Sequence, residues 1–411
     1  MIKVTIIGNL LPSGTGRYFG RREETAGGWV SGLLKGLETA QEFKATYIAF
    51  EKQDAFSVQE HEIKGISFIL AGYRNEKDIQ DILHRYPADV YHYYGAETET
   101  AKYFVNCLPY ERTLIYIQGI ITACMGAWMA SYDKYHDVSA GMKLYMKLNQ
   151  NLLKKHSETE LSIFRKAKFI AGRTAWDHET AESYGFQGIY YHLDETLRND
   201  FYTAESWNLK EMKPHTIFVS QASYPLKAAH MVIEIVKILK QDYQDVICYI
   251  GGENLMESAS LATRLHVSYA AYIQKLIHEY HLEEQIRFTG TLNEKEVITH
   301  LQKANVFLLP SAMENSSNSL QEAMILGVPS AASSTGGTPG MVGSEDNCLL
   351  YPFDEPEKGA EKIAQIFDNE ETAVSLSQNG RKRIQYLADP MKNAEQVKNI
   401  YLDMYEKTRQ K

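Results

Sequence analysis

Short apolar runs recur along the chain, and longer stretches with apolar residues every three or four positions separate most of them. The runs are Val4–Ile7, Thr46–Ala49, Ile66–Leu70, Asp89–Tyr93, Leu114–Ile117 and Phe169–Ala171, then Thr216–Val219, Val246–Ile250, Ile286–Thr289, Val306–Leu309 and Val328–Ala332. They have the length and β-branched or aromatic content of buried strands. The helical period predicts helices at Trp29–Leu37, Asp78–Arg85, Glu97–Cys107, Met142–Lys166, Ala175–Tyr184, Met231–Leu239, Ser260–Tyr280 and Glu294–Ala304. Three more close the chain, at Lys358–Phe367, Thr372–Leu387 and Met391–Thr408. Such alternation predicts parallel sheets covered by helices on both faces.

Length makes this two α/β domains rather than one, because 411 residues exceed what a single core usually serves. The polar stretch Trp207–Pro214 sets the boundary. The expected division is 1–207, 208–388 and a closing helix, 389–411. The net charge of −9 excludes the usual nucleic-acid binder. Cys107, Cys124, Cys248 and Cys348 have no C-x-x-C spacing, which fits a reducing compartment and offers no zinc site. The amino terminus reads as a strand, and no apolar run approaches the ~20 residues of a membrane span. A cytoplasmic location follows as an expectation.

Chemistry concentrates in Pro310–Gly337, a strand–loop–helix–strand unit whose loop lies at a strand's carboxyl end. Asn318 or Ser319 reads as the helix N-cap. Glu314 and Glu322 frame the loop with seven residues between them. A helix N-terminus suits a phosphate, and a carboxylate one turn in suits a ribose diol. An ordinary capped helix with solvated acids has the same spacing, so both readings stand on the residues alone. Gly14-Thr15-Gly16 lacks the third glycine of a dinucleotide fingerprint, since Phe19 stands there.

The E-x7-E frame, the following Glu322-Ala323-Met324 with Gly327 and Pro329, and the Ser333…Gly336-Gly337…Pro339 stretch resemble the retaining glycosyltransferases of the GT4 type. The resemblance implies a GT-B fold, two Rossmann-like α/β domains facing across a cleft. It implies sugar transfer from a nucleotide diphosphate-sugar, a UDP-sugar being favoured, to a glycan or lipid-linked acceptor. Polysaccharide or glycolipid synthesis is the implied setting. Glu314 would then orient donor hydroxyls and Lys227 would hold the diphosphate, as the two catalytic residues. Asn315, Ser316, Ser317, Asn318, Ser319 and Leu320 would present the phosphate-binding turn, and Glu322 would bind the ribose. Gly27 and Gly28 match the glycine pair that faces the donor in the first domain. Thr289 and Gly290 match the loop along the base.

Departures from the family pattern are specific. Asn315 and Ser317 replace glycines, and Ser316 replaces an aromatic residue. Gln118 stands where a histidine is usual, and Ser220-Gln221 where a phosphate-binding arginine is expected. Arg173 is the candidate replacement for that arginine. A nucleotide-sugar-binding protein without transfer is the alternative these departures keep open. No D-x-D triplet occurs, so neither a metal nor another cofactor is expected. Finally, Met142–Lys168 carries seven basic and two acidic residues in an acidic chain. It is either a solvated face or a peripheral contact with the inner face of a membrane.

Overall fold

In a computed structural model, residues 1–21, 28–38, 40–130, 139–265 and 267–409 are described. They form two compact units. One comprises Met1–Thr122, Lys154–Arg198 and Leu387–Lys411, and the other Ala123–Leu153 and Asn199–Tyr386.

The first unit is built on eight strands: β1 (Ile2–Gly8), β2 (Phe43–Lys52), β3 (Ser57–Ile63), β4 (Ile66–Tyr73), β5 (Val90–Tyr94), β6 (Thr113–Tyr116), β7 (Phe169–Gly172) and β8 (Ile189–His192). Their order is β3-β4-β2-β1-β5-β6-β7-β8. All pairs are parallel except β3 with β4. Ile6, Ile7, Ile48, Ile69, Val90, Leu114, Ile115 and Ile170 are all fully buried. Neighbours in sequence are thus buried on opposite faces, as helix-covered parallel strands require.

β3 escapes the apolar pattern because Glu60, His61 and Glu62 are exposed on it. Charged side chains suit an edge strand that must not recruit another chain. Its hairpin turns at Lys64-Gly65, both at positive φ (51° and 80°), the signature of a two-residue hairpin turn. The closing helix, Pro390–Arg409, packs Val397, Ile400, Tyr401 and Met404 into the first unit's core.

The second unit has six parallel strands, β9 (Thr216–Val219), β10 (Ile247–Gly251), β11 (Ile286–Gly290), β12 (Val306–Leu309), β13 (Ser330–Ser333) and β14 (Leu349–Tyr351). Their order is β11-β10-β9-β12-β13-β14. Residues 123–130 join this unit through a small apolar cluster in which Ala127, Ala130 and Trp128 meet Leu226, Ala312 and Met313.

Two expected helices are shorter than the hydrophobic period suggests. Of Glu97–Cys107 only Ala101–Phe104 is α-helical. Thr98 Oγ1 donates to the Gly95 carbonyl (2.8 Å), folding the start into a turn. Ser260–Tyr280 is two helices, Leu261–Arg264 and Tyr269–Glu279. Ser268 Oγ accepts from the Ala271 N–H (3.1 Å), and this second cap starts the helix afresh. No helix among the described residues is long and apolar enough to cross a membrane.

Candidate active site

The second unit gathers loops at the carboxyl ends of adjacent strands, where open parallel sheets hold ligands. After β9 the chain makes a tight turn, Pro225–Lys227, closed by Ala228 at φ 55°. After β12 it runs through Pro310–Ser317 into the helix Asn318–Ile325. The Ala312 N–H donates to the Leu226 carbonyl (2.8 Å) and ties the two loops together. Lys227 and Glu314, 87 positions apart, meet there as an ion pair. Burial works to lower the Lys227 pKa, but Glu314 and Tyr224 outweigh it, so the net shift is upward and the ammonium is kept.

The double-glycine loop after β13 supports Glu314 from behind. The Gly337 N–H donates to the Glu314 carbonyl (2.8 Å). Gly336 has φ 54°, and a Cβ there would lie 2.0 Å from the same carbonyl oxygen. Only glycine combines that backbone with that approach. Ser333 Oγ and Thr335 Oγ1 donate to the Ser311 carbonyl at 2.5 and 3.0 Å. The serine and glycines of this motif therefore act on the Glu314 loop itself.

The helix N-cap is Ser317, one position before the earlier of the two expected. Its Oγ accepts from the Leu320 N–H (3.4 Å) and pairs with Ser319 Oγ (3.0 Å). Asn318 begins the helix instead of capping it, since Ser317 already has the extended backbone of a cap. Asn315, Ser316 and Ser317 are buried, while Asn318 and Ser319 are half-buried. Ser316 Oγ accepts from Gln321 Nε2 (3.2 Å), so the hydroxyl that replaces an aromatic ring stiffens the turn. Glu322 is buried one turn in. Thr289 and Gly290 end β11, and the Gly290 carbonyl accepts from the Gly252 N–H (3.1 Å). Gln221 is exposed after β9.

Lys227, Gln221, Thr289, Gly290 and the Glu314–Glu322 stretch thus belong to one unit. Gly28, Gln118 and Arg173 belong to the other. Gly28 opens the helix Gly28–Glu38, and Gly27 lies outside the described residues. Arg173, the candidate replacement for the missing arginine, is buried, with Nη1 donating to Glu195 Oε2 (2.8 Å) and Nη2 to the Gln118 carbonyl (3.2 Å). A guanidinium taken out of water needs such a partner, and the sequence gives no sign that Glu195, 22 positions on, supplies it. His92 lies in the core, stacked on Tyr94 with Nδ1 against Tyr401 Oη (2.7 Å). Burial pushes its pKa down to about 3, so it remains a neutral packing group. Among the described residues no cluster of three or more His, Cys, Asp or Glu could hold a metal ion.

If Glu322 grips a ribose diol, Glu322→Ala should weaken nucleotide diphosphate binding by roughly 1.5–3 kcal/mol, the worth of charge-assisted hydrogen bonds. Calorimetric titration checks this, and unchanged affinity removes Glu322 from the site.

Residues 202–383 match the family model described as glycosyl transferases group 1. An uncharacterized glycosyltransferase, YqgM, of Bacillus subtilis (strain 168) is 23% identical over 198 residues, 48% of this chain and 50% of that protein. The MMP alpha-(1->4)-mannosyltransferase of Mycolicibacterium hassiacum is 28% identical over 169 residues, 41% of this chain and 38% of that protein. The chain therefore aligns with about half, or less, of these relatives' length. Among solved structures, sucrose-phosphate synthase from Thermosynechococcus elongatus superimposes with a TM-score of 0.71 at 16% identity, covering 99% of this chain and all of that one.

Proposed function

We propose, because residues 202–383 match the model of the group 1 glycosyl transferases and the chain has the GT-B fold, that this protein transfers a sugar from a nucleotide diphosphate-sugar to a hydroxyl acceptor with retained anomeric configuration. The observation that carries this is the Lys227–Glu314 pair beside the N-terminus of the Asn318–Ile325 helix. A fixed cation and aligned N–H groups there suit a diphosphate. A carboxylate in the same place suits sugar hydroxyls.

In the proposed reaction the bond between the anomeric carbon and the β-phosphate oxygen breaks. The acceptor oxygen bonds to the same face of that carbon, and its proton passes to the released phosphate oxygen. Lys227 and the first helical turn stabilise charge developing on the diphosphate, the effect that usually contributes most to catalysis. Glu314 keeps the sugar oriented. UDP-glucose is the first donor to test, with product configuration read by NMR. Product of inverted configuration contradicts the mechanism. Donor binding without turnover on any acceptor supports the second reading, a binding protein, which Gln118 and Ser220-Gln221 favour because they replace a histidine and an arginine of the family pattern.

A peripheral membrane contact is part of the proposal. On the helix Ala140–Lys166, Leu144, Leu148 and Leu152 are 61%, 57% and 66% exposed, a stripe at intervals of four residues. Lys143 and Lys147 are exposed on the same arc. Leucines flanked by lysines suit the interface of an anionic bilayer. Each lysine near such a surface contributes about 1 kcal/mol. Reversing Lys143 and Lys147 to glutamate should therefore cut sedimentation with phosphatidylglycerol vesicles by more than about tenfold at low salt. Wild-type protein that ignores these vesicles at low salt makes the helix a solvated face.

A further inference from the structure

The turn that carries Lys227 runs straight into the helix Ala229–Leu239, whose second residue is His230. This side chain is buried, and both ring nitrogens are engaged. Nε2 lies 2.9 Å from the Ala130 carbonyl oxygen, and Nδ1 lies 2.9 Å from Tyr269 Oη. A carbonyl can only accept, so Nε2 carries a proton. In the neutral ring Nδ1 then accepts from the Tyr269 hydroxyl, whose oxygen also takes the His230 backbone N–H (3.3 Å). One tautomer satisfies all three bonds. Tyr269, at the start of the helix Tyr269–Glu279, sets the direction of the ring.

What the ring holds is a strained backbone. Ala130 has φ 48°, in the left-handed region that favours glycine, and it is buried. Its N–H donates to the Ala127 carbonyl (2.9 Å). Such a conformation persists only where the surroundings over-determine it. Ala130 packs with Leu226 and Ala312, the residues that join the Lys227 loop to the Glu314 loop. Cys124, on the same segment, is close enough to add to the upward shift of the Lys227 pKa. Residues 123–130 therefore flank the Lys227–Glu314 pair, and His230 ties them down.

We propose that His230 is a positioning residue for transfer: by holding the Ala130 carbonyl it seats residues 123–130 against Leu226 and Ala312, and so sets the separation of Lys227 and Glu314. This rests on the transferase reading. In that reading Lys227 meets the diphosphate and Glu314 the sugar, on either side of the bond that breaks. Their separation then aligns the donor for attack. A loosened seat leaves the Lys227 charge able to bind nucleotide but spoils the alignment that transfer needs.

Transfer kinetics, UDP titration and hydrogen exchange of the full chain test this with His230→Leu, His230→Gln and Tyr269→Phe. Leucine fills the space and leaves the Ala130 carbonyl without its donor. Glutamine places an amide N–H where Nε2 stood. His230→Leu should lower kcat about 10- to 100-fold, the cost of a misplacement of up to ~1 Å, with little change in donor KM or UDP affinity. The peptide covering 123–130 should exchange about three- to tenfold faster, the worth of one hydrogen bond, while β9 and β12 exchange as in the wild type. His230→Gln should recover most of both. Tyr269→Phe should fall between, because the ring loses its orienting hydroxyl and keeps its Nε2 proton. Should His230→Leu fail to fold by circular dichroism, Tyr269→Phe decides: a lower kcat at unchanged UDP affinity supports the proposal, and a wild-type kcat overturns it. A His230→Leu variant with wild-type kcat overturns it even where the unfolding midpoint falls, since that is packing alone. Equal losses in His230→Leu and His230→Gln, or unchanged exchange of 123–130, overturn it as well. Wild-type protein without transfer to any acceptor removes the transferase reading instead, and the seating of 123–130 by His230 then stands or falls on the exchange data.

Discussion

Replacing Glu314 by glutamine is expected to lower sugar transfer on the order of 100-fold, the cost of displacing a reacting group by ~1 Å, while affinity for free UDP is kept or raised. Both halves follow from the geometry. The Glu314 carboxylate is paired with Lys227, so it competes with an incoming diphosphate for that ammonium. The neutral amide removes the competition. It can still fill the space, since the loop's shape is fixed by Gly337, Ser333 and Thr335 acting on backbone carbonyls. What it no longer supplies is a charged acceptor for the sugar hydroxyls. Transfer to a competent acceptor and UDP titration are measured side by side. Equal losses in both would make Glu314 a nucleotide ligand. No change in either would mean the loop holds no sugar.

Lys227→Ala is expected to lower kcat about 100- to 1,000-fold, as loss of a preorganised charge-stabilising group does, with a smaller rise in the donor KM. The ammonium faces the β9 and β12 loops and keeps its proton, because Glu314 and Tyr224 raise its pKa against the opposing effect of burial. In the proposed reaction it meets a ground-state diphosphate, and more negative charge as the sugar departs. Interactions that strengthen toward the transition state appear in kcat. Steady-state kinetics with varied donor separates the cases. An effect confined to KM would mean that Lys227 binds donor and transition state equally.

The parts of the fold legible in the sequence are those buried on both faces. Ile6, Ile48, Ile115 and Ile217 sit in short runs made mostly of apolar residues, and such runs become central parallel strands. β3 is not legible, because an edge strand carrying Glu60, His61 and Glu62 looks like a polar loop. The caps at Ser268 and Ser317 show that one hydroxyl accepting a backbone N–H can start a helix inside, or just ahead of, an apolar pattern.

At the candidate site, Glu314, Glu322 and the double glycine can be located in the sequence because one motif fixes their spacing, whereas Lys227 comes from a separate loop. The contact between Lys227 and Glu314 is not legible, since it needs two loops 87 residues apart to be joined through Leu226 and Ala312. The surroundings of Arg173 are hidden for a related reason, since Glu195, which pairs with its guanidinium, is brought over by the neighbouring strand.

The central claim is that the second unit holds a nucleotide diphosphate between Lys227 and Glu322. Thermal unfolding of the full chain with UDP, UDP-glucose and GDP, beside the Lys227→Ala and Glu322→Ala variants, tests it most directly. A ligand at 100 times its Kd stabilises by ~2.7 kcal/mol, which for a unit of this size raises the midpoint by roughly 5–10 °C. The account predicts such a rise with at least one nucleotide for the wild type and a much smaller one for both variants. Wild-type protein whose midpoint stays fixed at millimolar concentrations of all three, or variants that respond as the wild type does, would contradict it.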